Sequence, residues 1–147
     1  MKTRILILGG TTEGYALADA LVGRTDLAVT SSLAGRTNDP RLPAGETRIG
    51  GFGGPEGLAA YLREQRIRAV IDATHPFAAT MGWNAASACR VAAVPLLRLE
   101  RPPWAMQPGD QWTPVADWTE AAAALRDGGS QRVFLARQVH GKVVAVG

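Results

Sequence analysis

The run Ile5-Leu6-Ile7-Leu8-Gly9-Gly10-Thr11-Thr12-Glu13-Gly14 constrains this chain more than any other stretch. Consecutive aliphatic residues followed by paired glycines predict a strand covered on both faces, as in a parallel sheet, that turns tightly into a helix. Thr11 or Thr12 can cap that helix, and Glu13 suits its first turn, where a carboxylate meets the positive end of the helix dipole. Such a junction lets backbone N–H groups and a helix N-terminus meet a phosphate. The spacing departs from G-x-G-x-x-G, because Thr11 stands where the second glycine would be. A side chain there limits how closely the backbone approaches a pyrophosphate, although a threonine hydroxyl is itself able to donate to phosphate. Taken alone, the turn reads equally well as a strand–helix connection without a ligand.

Apolar strands and amphipathic helices alternate along most of the chain, the pattern of an α/β fold. The expected architecture is a three-layer, Rossmann-like open parallel sheet flanked by helices. A helix over 13–22 carries Tyr15, Leu17, Ala18, Leu21 and Val22 at helical spacing, and Leu27 to Leu33 reads as the second strand. A short strand around Thr47 to Ile49 leads to a second glycine loop, Gly50-Gly51-Phe52-Gly53-Gly54. Pro55 then suits the first turn of a helix reaching about Gln65. Ala69 to Ala73 reads as a fourth strand, residues 78–93 as an alanine-rich helix, and Val94 to Leu99 as a fifth strand. Arg101 to Pro114 is proline-rich and reads as an extended crossover, followed by a helix over Ala121 to Leu125 and a sixth strand over Arg132 to Ala136.

A length of 147 residues gives room for one domain with a real core, and 46% apolar with 20% charged residues is ordinary for a globular protein. No apolar run is long enough to predict a membrane span. Strand-like sequence directly after Met1-Lys2-Thr3-Arg4 leaves no room for a signal peptide, so cytoplasmic residence is the expectation. The single cysteine, Cys89, excludes a disulfide framework. The net charge of +3 is compatible with an anionic ligand, but the basic residues are scattered rather than striped with aromatics, which argues against nucleic acid.

In an open parallel sheet, ligands gather at the carboxyl ends of the strands, and four features converge there. The first is the Gly9–Gly14 turn. The second is Ser31-Ser32-Leu33-Ala34-Gly35-Arg36, which lacks the acid that would hold a ribose 2′-hydroxyl. Serine hydroxyls and a guanidinium fork suit a 2′-phosphate instead, so a dinucleotide bound here is expected to be NADP. The third is the Gly50–Gly54 loop, which also reads as a plain helix-initiating turn. The fourth is Asp72-Ala73-Thr74-His75-Pro76-Phe77-Ala78, where His75 could orient a substrate or relay a proton, or simply serve as a hydrogen-bonded loop residue. No Tyr-x-x-x-Lys pair, G-x-x-x-x-G-K-[ST] loop or G-x-S-x-G elbow is present, and two histidines far apart with one cysteine argue against a zinc site.

These motifs in this order resemble the precorrin-6A reductases of cobalamin biosynthesis, including the cobalt-precorrin-6A branch. The resemblance rests on Gly9 to Gly14, Ser32 to Thr37, Ile49 to Gly54, Asp72 to Ala78, Asn84-Ala85 and Arg98 to Trp104. It implies NADPH-dependent reduction of one double bond in a corrin-precursor macrocycle, a tetrapyrrole. The implied cofactor residues are Gly9, Gly10, Thr11, Thr12, Glu13, Gly14, Ser32, Arg36 and Thr74. The implied substrate residues are Phe52, His75, Phe77, Arg98 and Arg101, with His75 the candidate for proton delivery and no metal. A non-catalytic NADP-binding module is the alternative. Oligomeric state and the choice between cobalt and cobalt-free substrates stay open. Residues 1–131 are expected to form the cofactor lobe, with 132–147 the start or remnant of a second α/β lobe and a chain that looks truncated relative to the family.

Overall fold

Leu6, Ile7 and Leu8 of β1 (Thr3–Leu8) are buried on both faces of a sheet, as expected of a continuous aliphatic strand. The computed structural model describes residues 1–35, 41–76, 78–102 and 105–129. Residues Met1–Arg101 form one compact unit and Pro102–Gly147 a second. In the first, α1 (Thr12–Leu21), β2 (Leu27–Leu33), β3 (Glu46–Ile49), α2 (Gly54–Glu64), β4 (Ala69–Asp72), α3 (Ala79–Ala92) and β5 (Leu96–Arg98) follow β1. The five strands lie in the order β3-β2-β1-β4-β5, and every pairing is parallel. This is the Rossmann-like order, with its switch point between β1 and β4.

Side chains alternate across a strand, and the two faces have separate cores. Leu6, Leu8, Val70 and Leu96 pack with Leu58 and Leu62 of α2 and Ala85, Ala88 and Cys89 of α3. Ile7 and Ala73 pack on the other face with Leu17, Ala18 and Leu21 of α1 and with Val29 and Leu99. Burying each large aliphatic side chain contributes on the order of 1.5–3 kcal/mol, so these two cores hold the strand ends in place.

Several element limits differ from the sequence reading. β5 is shorter than Val94 to Leu99, whereas α3 follows the expected alanine-rich helix closely and buries Ala85, Ala88 and Cys89. Val22 caps the end of α1 and is 53% exposed, so it does not join the core. Tyr15 is only partly buried, and its hydroxyl donates to the Arg41 carbonyl. In the second unit, α4 (Trp118–Asp127) extends beyond Ala121 to Leu125 at both ends. Asp117 accepts from the Glu120 amide and the Glu120 carboxylate accepts from the Ala116 amide, a reciprocal cap that the D-x-x-E spacing encodes. The expected sixth strand over Arg132 to Ala136 lies outside the described residues.

Candidate functional site

The Gly9–Gly14 turn leaves the carboxyl end of β1 and enters α1 beside the end of β4. Thr11 is the N-cap of α1: its Oγ1 accepts from the Gly14 amide at 3.2 Å and donates to the Ala73 carbonyl at 2.6 Å. A hydroxyl has one proton, and Thr11 gives it to Ala73. The expectation that this hydroxyl donates to phosphate therefore gives way to a positioning role, which ties the two sides of the switch point together. Gly10 has φ +115°, and a Cβ built there would meet no heavy atom within 4 Å. The backbone at Gly10 thus faces open space beside a helix N-terminus, a cradle that fits a pyrophosphate. Gly14 lies close to Gly9 and Ala73, with its notional Cβ 3.4 Å from each.

At the ends of β4 and β5, Asp72 is buried and faces Arg98 directly across the ladder. One Asp72 oxygen accepts from the Thr74 amide and hydroxyl at 3.0 and 2.7 Å, and the other accepts from Arg98 Nη1 at 2.5 Å. Arg98 Nη1 also donates to Thr74 Oγ1, and its Nε donates to Glu100. Partial burial works to lower the Arg98 pKa, but the bond to Glu100 and the charge of Asp72 outweigh it and hold the guanidinium above its ordinary value. Arg101 donates from Nε to Glu13 at 2.7 Å, and that bond holds the Glu13 carboxyl below its usual value, helped by its own backbone amide. Arg98 and Arg101, implied by the resemblance as substrate residues, are thus each paired with acids of this chain. Thr74 is 8% exposed and its hydroxyl is committed on both sides. His75 stands exposed on the turn that follows, where its carbonyl accepts from the Ala78 amide. Phe77 and Arg36 lie outside the described residues.

On the β2–β3 side the two serines part company. Ser31 and Thr47 are register partners whose hydroxyl oxygens are buried without a hydrogen-bond partner. Ser32, one residue on and therefore on the opposite face, is paired in register with Arg48 and accepts from its Nη1 at 3.2 Å. Arg48 also donates to the Gly50 and Gly51 carbonyls, each at 2.8 Å, and lies 3.7 Å from the centre of the Phe52 ring. Phe52 meets Tyr61 of α2 edge-on at 5.2 Å. Gly57 lets this loop sit so close to α2, since a Cβ there would fall 1.8 Å from the Phe52 carbonyl oxygen. The sequence reading passed over Arg48 and Gly57. A lone arginine in a short strand and a glycine within a helix carry no motif.

The opposite edge of the sheet holds a cavity of about 420 Å³ lined by Arg63, Arg66, Arg68, Ala92, Val94 and Pro95 among others. It lies at the amino ends of β4 and β5, where α2 and α3 present their carbonyl termini. Arg63 donates there to the Val91 carbonyl at 2.9 Å, answering the end of α3, and the cavity lies away from the strand-end crevice. Among the described residues no group of three or more metal-ligating side chains occurs.

A family model described as Precorrin-6x reductase CbiJ/CobK matches residues 4–140. The chain belongs to this family. A curated relative named precorrin-6A reductase, from Rhodococcus erythropolis, is 53% identical over 133 residues, covering 90% of this chain and 53% of the relative. A solved structure titled CobK precorrin-6A reductase superposes with a TM-score of 0.75 at 50% identity, covering 84% of this chain and 49% of that one. A cobalt-precorrin-6A reductase from Salmonella typhimurium is 35% identical over 106 residues, covering 67% of this chain and 37% of the relative. The chain spans about half the length of the curated relatives named precorrin-6A reductase that it matches.

Proposed function

We propose that this chain supplies the cofactor-binding part of an NADPH-dependent precorrin-6A reductase, which reduces one double bond of a corrin-precursor macrocycle. The observation that carries this reading is the crevice at the β1/β4 switch point, with an open glycine turn on one side and the Thr74–His75 turn on the other, in a chain of the CbiJ/CobK family. NADPH supplies the hydride when bound, so the protein's task is binding, orientation and electrostatics.

In this reading Gly9, Gly10 and the first turn of α1, with Thr12, Glu13 and Gly14, receive the pyrophosphate through backbone amides and the helix dipole. Ser32 and Arg36 receive the adenosine 2′-phosphate. Asp72, Thr74 and Arg98 form a rigid floor that aims the following turn, from which His75 orients the substrate or delivers a proton. Phe52 and Phe77 offer apolar surface to the macrocycle, and Arg98 and Arg101 shape the adjoining surface through their ion pairs. The higher identity to the relative named precorrin-6A reductase than to the one named cobalt-precorrin-6A reductase, 53% against 35%, favours a cobalt-free substrate.

Calorimetric titration of this chain with NADPH and with NADH tests the cofactor reading, with preference for NADPH as the expected result. Single-turnover oxidation of NADPH on addition of precorrin-6A tests catalysis. Cofactor binding without oxidation would favour a non-catalytic NADP-binding module, and no binding of either nucleotide would remove the cofactor reading for this chain.

A further inference from the structure

Three arginines are carried at or just beyond the ends of β3 and β5, and their charges are spent differently. Arg98 is paired with Asp72 and Glu100, and Arg101 with Glu13. Arg48 has no carboxylate partner among the described residues. Its bonds run to neutral acceptors, the Ser32 hydroxyl and the Gly50 and Gly51 carbonyls, and one face lies against Phe52. A guanidinium has five N–H donors. Those three bonds engage Nη1 twice and Nη2 once, leaving Nε–H and one Nη2–H uncommitted among the described residues. Such a pair can grip a phosphate in two-point fashion.

We propose that Arg48 is a specificity-determining residue for the 2′-phosphate of NADPH, acting beside Ser32 at the ends of β2 and β3. The assignment rests on the NADPH reading above and deepens it. Ser32 accepts from Arg48, so its own proton is left to donate to the same phosphate. Packing on Phe52 and the two glycine carbonyls hold the guanidinium in one orientation before any ligand arrives, which lowers the ordering cost of binding. The partly buried position keeps the charge shielded from salt and bulk water, so it acts on a bound anion more strongly than an exposed lysine would.

The test is the ratio of NADPH to NADH dissociation constants for the wild-type chain, Arg48→Ala and Arg48→Lys, with circular dichroism melting to establish folding. Losing one charge-assisted phosphate contact should weaken NADPH roughly ten- to a hundredfold while NADH changes little. Arg48→Lys, which keeps charge but not the fork, should fall between. If both nucleotides weaken equally, Arg48 only shapes the loop and the proposal is overturned while the NADPH reading stands. If the wild type itself shows no preference, the NADPH reading falls first. Should Arg48→Ala fail to fold, the lysine variant decides: an unchanged ratio overturns the proposal. Titration with 2′,5′-ADP against 5′-AMP, which differ only in the 2′-phosphate, tests the same preference without the nicotinamide half.

Discussion

Thr11 donates its hydroxyl to the Ala73 carbonyl at 2.6 Å, joining the start of α1 to the end of β4 across 62 residues of sequence. The same oxygen caps α1 through the Gly14 amide, so one side chain sets both the helix start and the width of the switch-point crevice. Thr11→Val removes both bonds at nearly constant volume and should cost roughly 1–3 kcal/mol. Thr11→Ser should restore most of it. Urea unfolding of the two variants measures the difference, and a loss in Thr11→Ser with none in Thr11→Val would show that the β-methyl, not the hydroxyl, matters there.

Gly57 and Gly14 should respond differently to alanine. At Gly57 the new Cβ would collide with the Phe52 carbonyl, whereas at Gly14 it would make ordinary contacts at 3.4 Å. Gly57→Ala should therefore cost about 1–3 kcal/mol through displacement of the Gly50–Gly54 loop. Gly14→Ala should be near neutral, since relief of glycine's backbone entropy offsets the tight fit. Thermal melts of the pair check the contrast.

Arg98 and Arg101 separate by the burial of their partners. Asp72 is 3% exposed at its side chain, while Glu13 is 27% exposed. Arg98→Met leaves a buried carboxylate uncompensated and should destabilise by on the order of 2 kcal/mol or more. Arg98 itself is 34% exposed, so water moderates the loss below that of a fully buried pair. Arg101→Met should leave the unfolding midpoint almost unchanged. A larger effect at Arg101 would refute this ordering.

Cys89 makes stability depend on alkaline pH. Burial pushes its thiol up to about 11, and the charge of Asp72 adds to this. A thiol in the unfolded chain ionises near its ordinary value of 9.0, so the folded form holds its proton where the unfolded form has lost it. The contribution is fully present below pH 9 and is lost as pH rises through 11. Cys89→Ala should flatten that limb of the stability profile, and the native thiol should react with iodoacetamide far more slowly at pH 8 than the urea-unfolded one.

Local chemistry made much of the site legible before any contact was known. Gly10 and Pro55 declared their turns because backbone torsion is a property of single residues, and the Thr11 cap was one of two readings that the turn allowed. Arg48 was illegible for the opposite reason. Its meaning comes from Ser32 across the ladder and from Phe52 folding back over it, and neither neighbour is implied by a period or a motif. The ion pairs of Arg98 and Arg101 were equally hidden, because sequence shows charge but not its partner.

The sequence by itself determined a parallel α/β sheet, since aliphatic runs bounded by glycines can be buried only between two layers of helix. It also determined which loops reach the ligand-binding edge, because strand direction follows from the alternation of elements. Only the tertiary structure decided which groups at that edge retain unspent charge and protons. That depends on register and loop return, which bring together Asp72 with Arg98, Thr11 with Ala73, and Ser32 with Arg48.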